Sequence, residues 1–229
     1  MIGIIGAMRV EVEGLCSLIQ NCNVKTINNR VFYTGIINKT DVVVVECGVG
    51  KVNAAITTSI MCENFDVDLI INTGVAGGIG NVKPLDIIIG DKFLYHDFDL
   101  SPLGYEKGVI PSYGKMFETD ESIRNILVEV AEKKHISYAV GNIATGDIFA
   151  TDTRIIDGLN VDVKAVEMEG AAIAHCAKIY KKPFAAIRVI SDVLGQQNQA
   201  VNFNELEKTA AKNAIVFVFE IIKKLVLTK

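Results

Sequence analysis

Short runs of branched apolar residues recur along the chain, and most lead into a segment of helical periodicity. Residues 2–6 precede 10–19, 41–47 precede 52–63, 164–166 precede 170–178, and 184–190 precede 204–227. Such alternation has one compact solution, a central sheet with helices on both faces, so a three-layer α/β/α domain is expected. Residues 31–37 and 41–47 bracket Asn38-Lys39-Thr40 as the arms of a hairpin, which makes the sheet mixed. Residues 68–72 and 139–145 read as further strands, and 87–89 with 93–96 as one long strand or two. Residues 120–134 form an amphipathic helix with Ile123, Ile126, Leu127 and Val130 on one face. The Gly-, Pro- and Tyr-rich segment 99–117 is too long for a plain connector. The last helix is expected to be capped by Asn202 or Asn204.

No linker or repeat interrupts this pattern, so residues 1–229 read as a single domain. The formal net charge of −4, with Lys and Arg dispersed, argues against a nucleic-acid surface. No uninterrupted apolar run approaches the roughly 18 residues of a membrane helix. The opening MIGIIGAM lacks the basic start and cleavage site of a secretory signal and reads as a strand. Five scattered cysteines without a C-x-x-C pair read as free thiols, most of them packed inside a cytoplasmic protein.

Three carboxylates stand out. Glu169 and Asp192 sit near the ends of two apolar strands, and Glu11 follows the first one. Ligands of open α/β sheets collect beyond the carboxyl ends of strands, so the three make an acid/base site if they meet, and are merely solvated if they do not. NTGVAGGIG at 72–80, which contains Val75, Ala76 and Gly77, either lets backbone approach a flat ligand or marks a bend. GVGK at 48–51 is not a Walker loop, because Val45 stands where its first glycine belongs and Val52 where its Ser/Thr belongs. It serves either as a tight turn or as a backbone approach to a ligand. No G-x-G-x-x-G signature for a dinucleotide is present. His96 and Asp97 would face opposite sides of a strand, and no second cluster completes a metal shell. His135 and His175 read as surface or half-buried residues, and no Ser-His-Asp or Cys-His arrangement is suggested.

GIIGAM followed by Glu11, NTGVAGG, YHD at 95–97, TGDIF at 145–149, AVEMEGAAIA and RVISD occur in that order across the whole chain. In this the sequence resembles the bacterial 5′-methylthioadenosine/S-adenosylhomocysteine nucleosidases, within the purine nucleoside phosphorylase superfamily. The resemblance implies a mixed sheet curling into a distorted barrel, a cytoplasmic homodimer, and neither metal nor cofactor. It implies hydrolysis of the N9–C1′ bond of methylthioadenosine and adenosylhomocysteine to adenine and a 5-substituted ribose. By the same resemblance Asp192 is the general acid towards adenine N7, oriented by Ser191. Glu11 activates the attacking water, with Arg188 near that water. Glu169 holds the ribose hydroxyls, and Met168 packs on the sugar. Phe149 stacks on the purine, the backbone of Ala150 reads its Watson–Crick edge, and Val75, Ala76 and Gly77 lie against the substrate. Met8, Val49 and Phe203 line the alkylthio pocket, and Leu103 and Pro111 reach across the dimer interface. Val75 stands where several members carry a hydroxyl residue, Ala150 where many carry a larger apolar one, and the segment 195–202 is one residue longer.

Breaking an N-glycosidic bond places positive charge on the ribose and negative charge on the base. A carboxylate beside the sugar tolerates the cation, and an acid at N7 lets the base leave neutral. Donation near neutral pH would be opposed by a nearby guanidinium. Asp192 is therefore expected to be shielded from Arg188, or protonated only with substrate bound. A phosphorylase on the same fold would need basic residues to hold phosphate, and the glycine-rich loops offer only Lys51. A binding protein without catalysis could dispense with Glu11 or Asp192, and both are present. A hydrolase of an aminodeoxyfutalosine-type nucleoside, which differs only at the 5′ substituent, is the remaining alternative.

Overall fold

The computed structural model describes residues 1–196 and 199–227. The elements run β1 (Ile2–Gly6), α1 (Arg9–Ser17), β2 (Gln20–Ile27), β3 (Arg30–Ile37), β4 (Thr40–Glu46), α2 (Lys51–Asn64) and β5 (Leu69–Gly78). They continue with β6 (Ile87–Tyr95), β7 (Phe117–Glu118), α3 (Glu121–Lys133), β8 (Tyr138–Thr145) and β9 (Val163–Glu167). The chain closes with α4 (Gly170–Ile179), β10 (Phe184–Val193) and α5 (Gln199–Leu227).

The sheet is mixed and closes on itself. β5 pairs in parallel with β10, β10 antiparallel with β6, β6 and β8 in parallel, β8 and β9 in parallel, and β9 antiparallel with β5. These five strands make the barrel, and β1, β4, β3 and β2 extend from β5 as an open wing. Adjacent residues of the central strands point to opposite faces, and both faces are buried. Ile5, Val45 and Ile70 pack under Ala54 and Met61 of α2 and Ala171 and Ile173 of α4. Their neighbours Ile4, Val44 and Ile71 pack under α1, α3 and α5, through Leu15, Leu127 and Phe217. This two-sided burial is why the strands read as continuous apolar runs.

Several boundaries differ from expectation. β2, missed in the sequence, is an exposed edge strand with no apolar alternation. It forms through pairing with β3 across the turn Asn28-Asn29, whose φ angles are 47° and 61°. The expected turn at Asn38-Lys39 carries φ of 46° and 66°, the primed geometry that suits a two-residue hairpin. β5 does not stop before the glycine cluster but runs through it to Gly78, pairing with β10 and β9 there. Residues 87–95 form one strand. The segment 99–117 contains a 3₁₀ turn at Ser101–Leu103 and a bridge between Ile110 and Gly114. α5 opens at Gln199, so Asn202 and Asn204 lie inside its first turns and neither caps it. Of the longer segment 195–202, Gln197 and Asn198 lie outside the described residues.

Candidate active site

A cavity of about 200 Å³ opens at the carboxyl ends of β1, β5, β9 and β10. The three carboxylates singled out in the sequence, Glu11, Glu169 and Asp192, all line it.

Glu11 is the third residue of α1, and its side chain folds back over the helix start. Oε2 accepts from the Ala7 and Met8 amides at 2.7 and 2.9 Å, and Oε1 from the Val75 amide at 3.1 Å. Backbone amides of a helix N-terminus favour an anion there. Burial nevertheless dominates and pushes the Glu11 pKa up, against the pull of those amides and of Arg188. The close approach depends on Gly74, because a Cβ at that position would lie 2.7 Å from Glu11 Oε1.

Glu169 holds the N-cap position of α4 and accepts the Gly50 amide on Oε1 at 2.7 Å. Gly50 has φ of 97°, which a side chain would resist, so the GVGK turn places a backbone N–H against the site. Val49 beside it is on the cavity wall. Burial first, and the neighbouring Glu167 second, push the Glu169 carboxyl up to about 8.

Asp192 owes its position to a bulge. β10 carries one extra residue between Ile190 and Asp192 relative to β5, so Ser191 and Asp192 both face the cavity, where a regular strand would turn one away. Ser191 Oγ donates to Asp192 Oδ1 at 2.6 Å, and Gln199 Nε2 donates to Oδ2 at 2.6 Å. Ala76 and Gly77, paired with this stretch of β10, line the same end with Ala150. Phe149 and Phe203 meet edge to face at 5.5 Å on the wall. Met8 and Met168 complete the positions expected there.

Arg188 stands near enough to Glu11 to favour its charge. It is fully buried off the cavity wall, where Nη2 meets Glu167 Oε2 at 2.5 Å and also Asn72 Oδ1. Glu167 in turn accepts the Glu169 and Gly170 amides at 3.0 and 2.7 Å and the Thr145 hydroxyl. Sequence reasoning missed Glu167, Asn72 and Thr145. The signal for Glu167 was a second acid, two residues before Glu169, at the end of an apolar strand. Leu103 and Pro111 are exposed and away from the cavity in this single chain.

Beside the site an ion pair stands next to buried polar atoms, both ring nitrogens of His96, Asp97 Oδ1 and His175 Nε2, that have no hydrogen-bond partner among the described residues. Lys51 Nζ pairs with Asp97 at 2.5 Å, and Asp97 also accepts the Asp147 amide at 2.9 Å. His96 is buried under Gly146. His175 packs among the rings of Tyr95, Tyr113 and Phe117. The five cysteines are free, with only Cys22 exposed. Among the described residues no helix is long and apolar enough to cross a membrane.

The family model described as the phosphorylase superfamily matches residues 1–225. The 5′-methylthioadenosine/S-adenosylhomocysteine nucleosidase of Haemophilus influenzae is 39% identical over 228 residues, 98% of this chain and 99% of that protein. The chain belongs to this nucleosidase family. The nucleosidase of Neisseria meningitidis, solved in complex with methylthio-immucillin-A, matches with a TM-score of 0.92 at 33% identity. That match covers 97% of this nucleosidase and 98% of the Neisseria chain. The futalosine hydrolase of Helicobacter pylori shares the fold at a TM-score of 0.91, with 28% identity over 97% of each chain. The Haemophilus and Neisseria nucleosidases, at 39% and 33%, are more similar to this chain in sequence than that hydrolase.

Proposed function

We propose that this nucleosidase hydrolyses the N-glycosidic bond of 5′-methylthioadenosine and S-adenosylhomocysteine, and of 5′-deoxyadenosine, to adenine and the 5-substituted ribose. The observation that carries this reading is the chemistry of one wall. Glu11, Glu169 and Asp192 share a cavity whose described lining contains no Lys, Arg or His. A wall without a cationic side chain offers phosphate no partner, so water is the nucleophile and Glu11 its base. Glu169 holds the ribose hydroxyls beside Met168. Asp192, oriented by Ser191, is the acid or hydrogen-bond partner at N7, and Ala150 reads the purine edge beside Phe149. The guanidinium of Arg188 is committed to Glu167 and Asn72. That supports the shielding which proton donation by Asp192 requires, and Arg188 then acts by positioning Glu167.

The whole chain is read as one nucleoside hydrolase domain working as a cytoplasmic homodimer in methionine salvage, with no metal or cofactor. Support for the dimer comes from apolar side chains left exposed on α2 and α4 (Val52, Ile56 and Ile179) and on the adjoining loop (Leu103, 72% exposed, and Tyr113). Leu103 and Pro111 would then complete the partner's alkylthio pocket beside Met8, Val49 and Phe203. The shared fold of the Helicobacter futalosine hydrolase keeps aminodeoxyfutalosine as a second reading, since the two substrates differ only at the 5′ group. The test is base release from methylthioadenosine, adenosylhomocysteine and aminodeoxyfutalosine side by side. A preference of about tenfold or more in kcat/KM for the first two supports the proposal, and the reverse preference replaces it with the second reading.

A further inference from the structure

The carboxamide of Gln199, the first residue of α5, bridges the two groups assigned to the base. Its Nε2 donates to Asp192 Oδ2 at 2.6 Å and to the Ala150 carbonyl at 2.8 Å. One primary amide nitrogen thus spends both hydrogens on a carboxylate and a backbone carbonyl standing side by side. The exocyclic amine of a 6-aminopurine has the same donor pattern, one hydrogen towards the Watson–Crick edge and one towards N7. With Oδ1 already held by Ser191, Oδ2 is the Asp192 oxygen left for a ligand, and Gln199 is on it.

A permanent structural bridge would be expected to satisfy the whole amide. Gln199 is 6% exposed, yet its Oε1 has no hydrogen-bond partner among the described residues. The side chain is held through its amine side alone. We infer that Gln199 is a built-in stand-in for the amine of the leaving base, occupying Asp192 Oδ2 and the Ala150 carbonyl until a 6-aminopurine displaces it. It thereby sets the affinity and the selectivity of the base end of the site. A base lacking that amine, such as a 6-oxopurine, presents a carbonyl at C6 and cannot supply both hydrogens from that position, which leaves the Gln199 bridge the better occupant.

This inference rests on the proposed nucleosidase reading, and the experiment separates the two. Adenine and hypoxanthine binding are measured by calorimetry on the wild-type protein, Gln199→Ala and Gln199→Met, alongside KM and kcat for methylthioadenosine. The alanine removes donor and volume, and the methionine removes the donor while keeping length. Both variants are expected to bind adenine about tenfold more tightly and to lower KM by a similar factor, since a ligand then displaces neither a neutral nor a charge-assisted hydrogen bond. The preference for adenine over hypoxanthine should narrow. Unchanged adenine affinity, or weaker affinity as expected of a fixed positioning bridge, overturns the inference while the nucleosidase reading stands. A wild-type protein that neither binds adenine nor releases it overturns the nucleosidase reading, and this inference with it.

Discussion

Arg188 is tied to Glu167 rather than to the cavity, Nη2 to Oε2 at 2.5 Å, with both side chains 2% exposed. One guanidinium therefore serves a site holding four carboxylates, Glu11, Glu167, Glu169 and Asp192, and it is committed to Glu167, which also accepts the Gly170 amide at the start of α4.

Breaking that pair leaves a buried charge. Glu167→Ala strands Arg188 and removes the acceptor of the Glu169 and Gly170 amides, so it should cost about 3–5 kcal/mol of stability. Glu167→Gln keeps an acceptor oxygen for those amides and should cost less. Urea unfolding of the two variants measures the difference, and a loss under about 1 kcal/mol for the alanine would refute the pair's structural role.

Gly74→Ala tests the position of Glu11 without touching its chemistry. The added Cβ would lie 2.7 Å from Glu11 Oε1, and the carboxylate, clamped by three amides, has to leave its place. Displacement of a catalytic group by about 1 Å can cost about 10²-fold. The expectation is a fall in kcat of that order with little change in adenine affinity, read from steady-state kinetics and calorimetry.

Stability should carry a pH signature from Glu169. Its folded pKa is raised from the ordinary 4.5 to about 8, so folding favours the protonated form. That contribution is complete below 4.5 and is lost as pH rises towards 8, at most on the order of a few kcal/mol. Glu169→Gln should flatten the decline in unfolding free energy between pH 5 and 8. An equally steep decline in the variant would show that another group sets it.

The fold was legible because its central strands are buried on both sides, and each apolar run announced itself. β2 was not, since an exposed edge strand of Gln, Asn, Lys and Thr is held by backbone pairing that leaves no hydrophobic pattern. The three acids were visible as polar residues at strand ends. Their geometry was not. The bulge that turns Ser191 and Asp192 to one side arises from pairing with β5, and a single strand read alone predicts that they diverge. The partners of Arg188, Glu167 and Asn72, are supplied by β9 and β5, which only the closed barrel brings together. Gln199 was hidden by the expectation that α5 starts later.

Glu11 should also set the acid limb of activity. Its pKa is raised above 4.5 by burial, and a base must be ionised to act, so kcat/KM should fall as pH drops towards a midpoint above 4.5. A limb at or below that value would place the base elsewhere.

Catalysis in this site turns on water activated by Glu11. The direct measurement is adenine release from methylthioadenosine in phosphate-free buffer, by the wild-type protein and by Glu11→Gln, with adenine affinity measured on both. The prediction is full wild-type turnover without phosphate, and a loss of about 10²–10⁴-fold in the variant with adenine still bound. Turnover that requires phosphate, or a Glu11→Gln protein as fast as wild type, would contradict it.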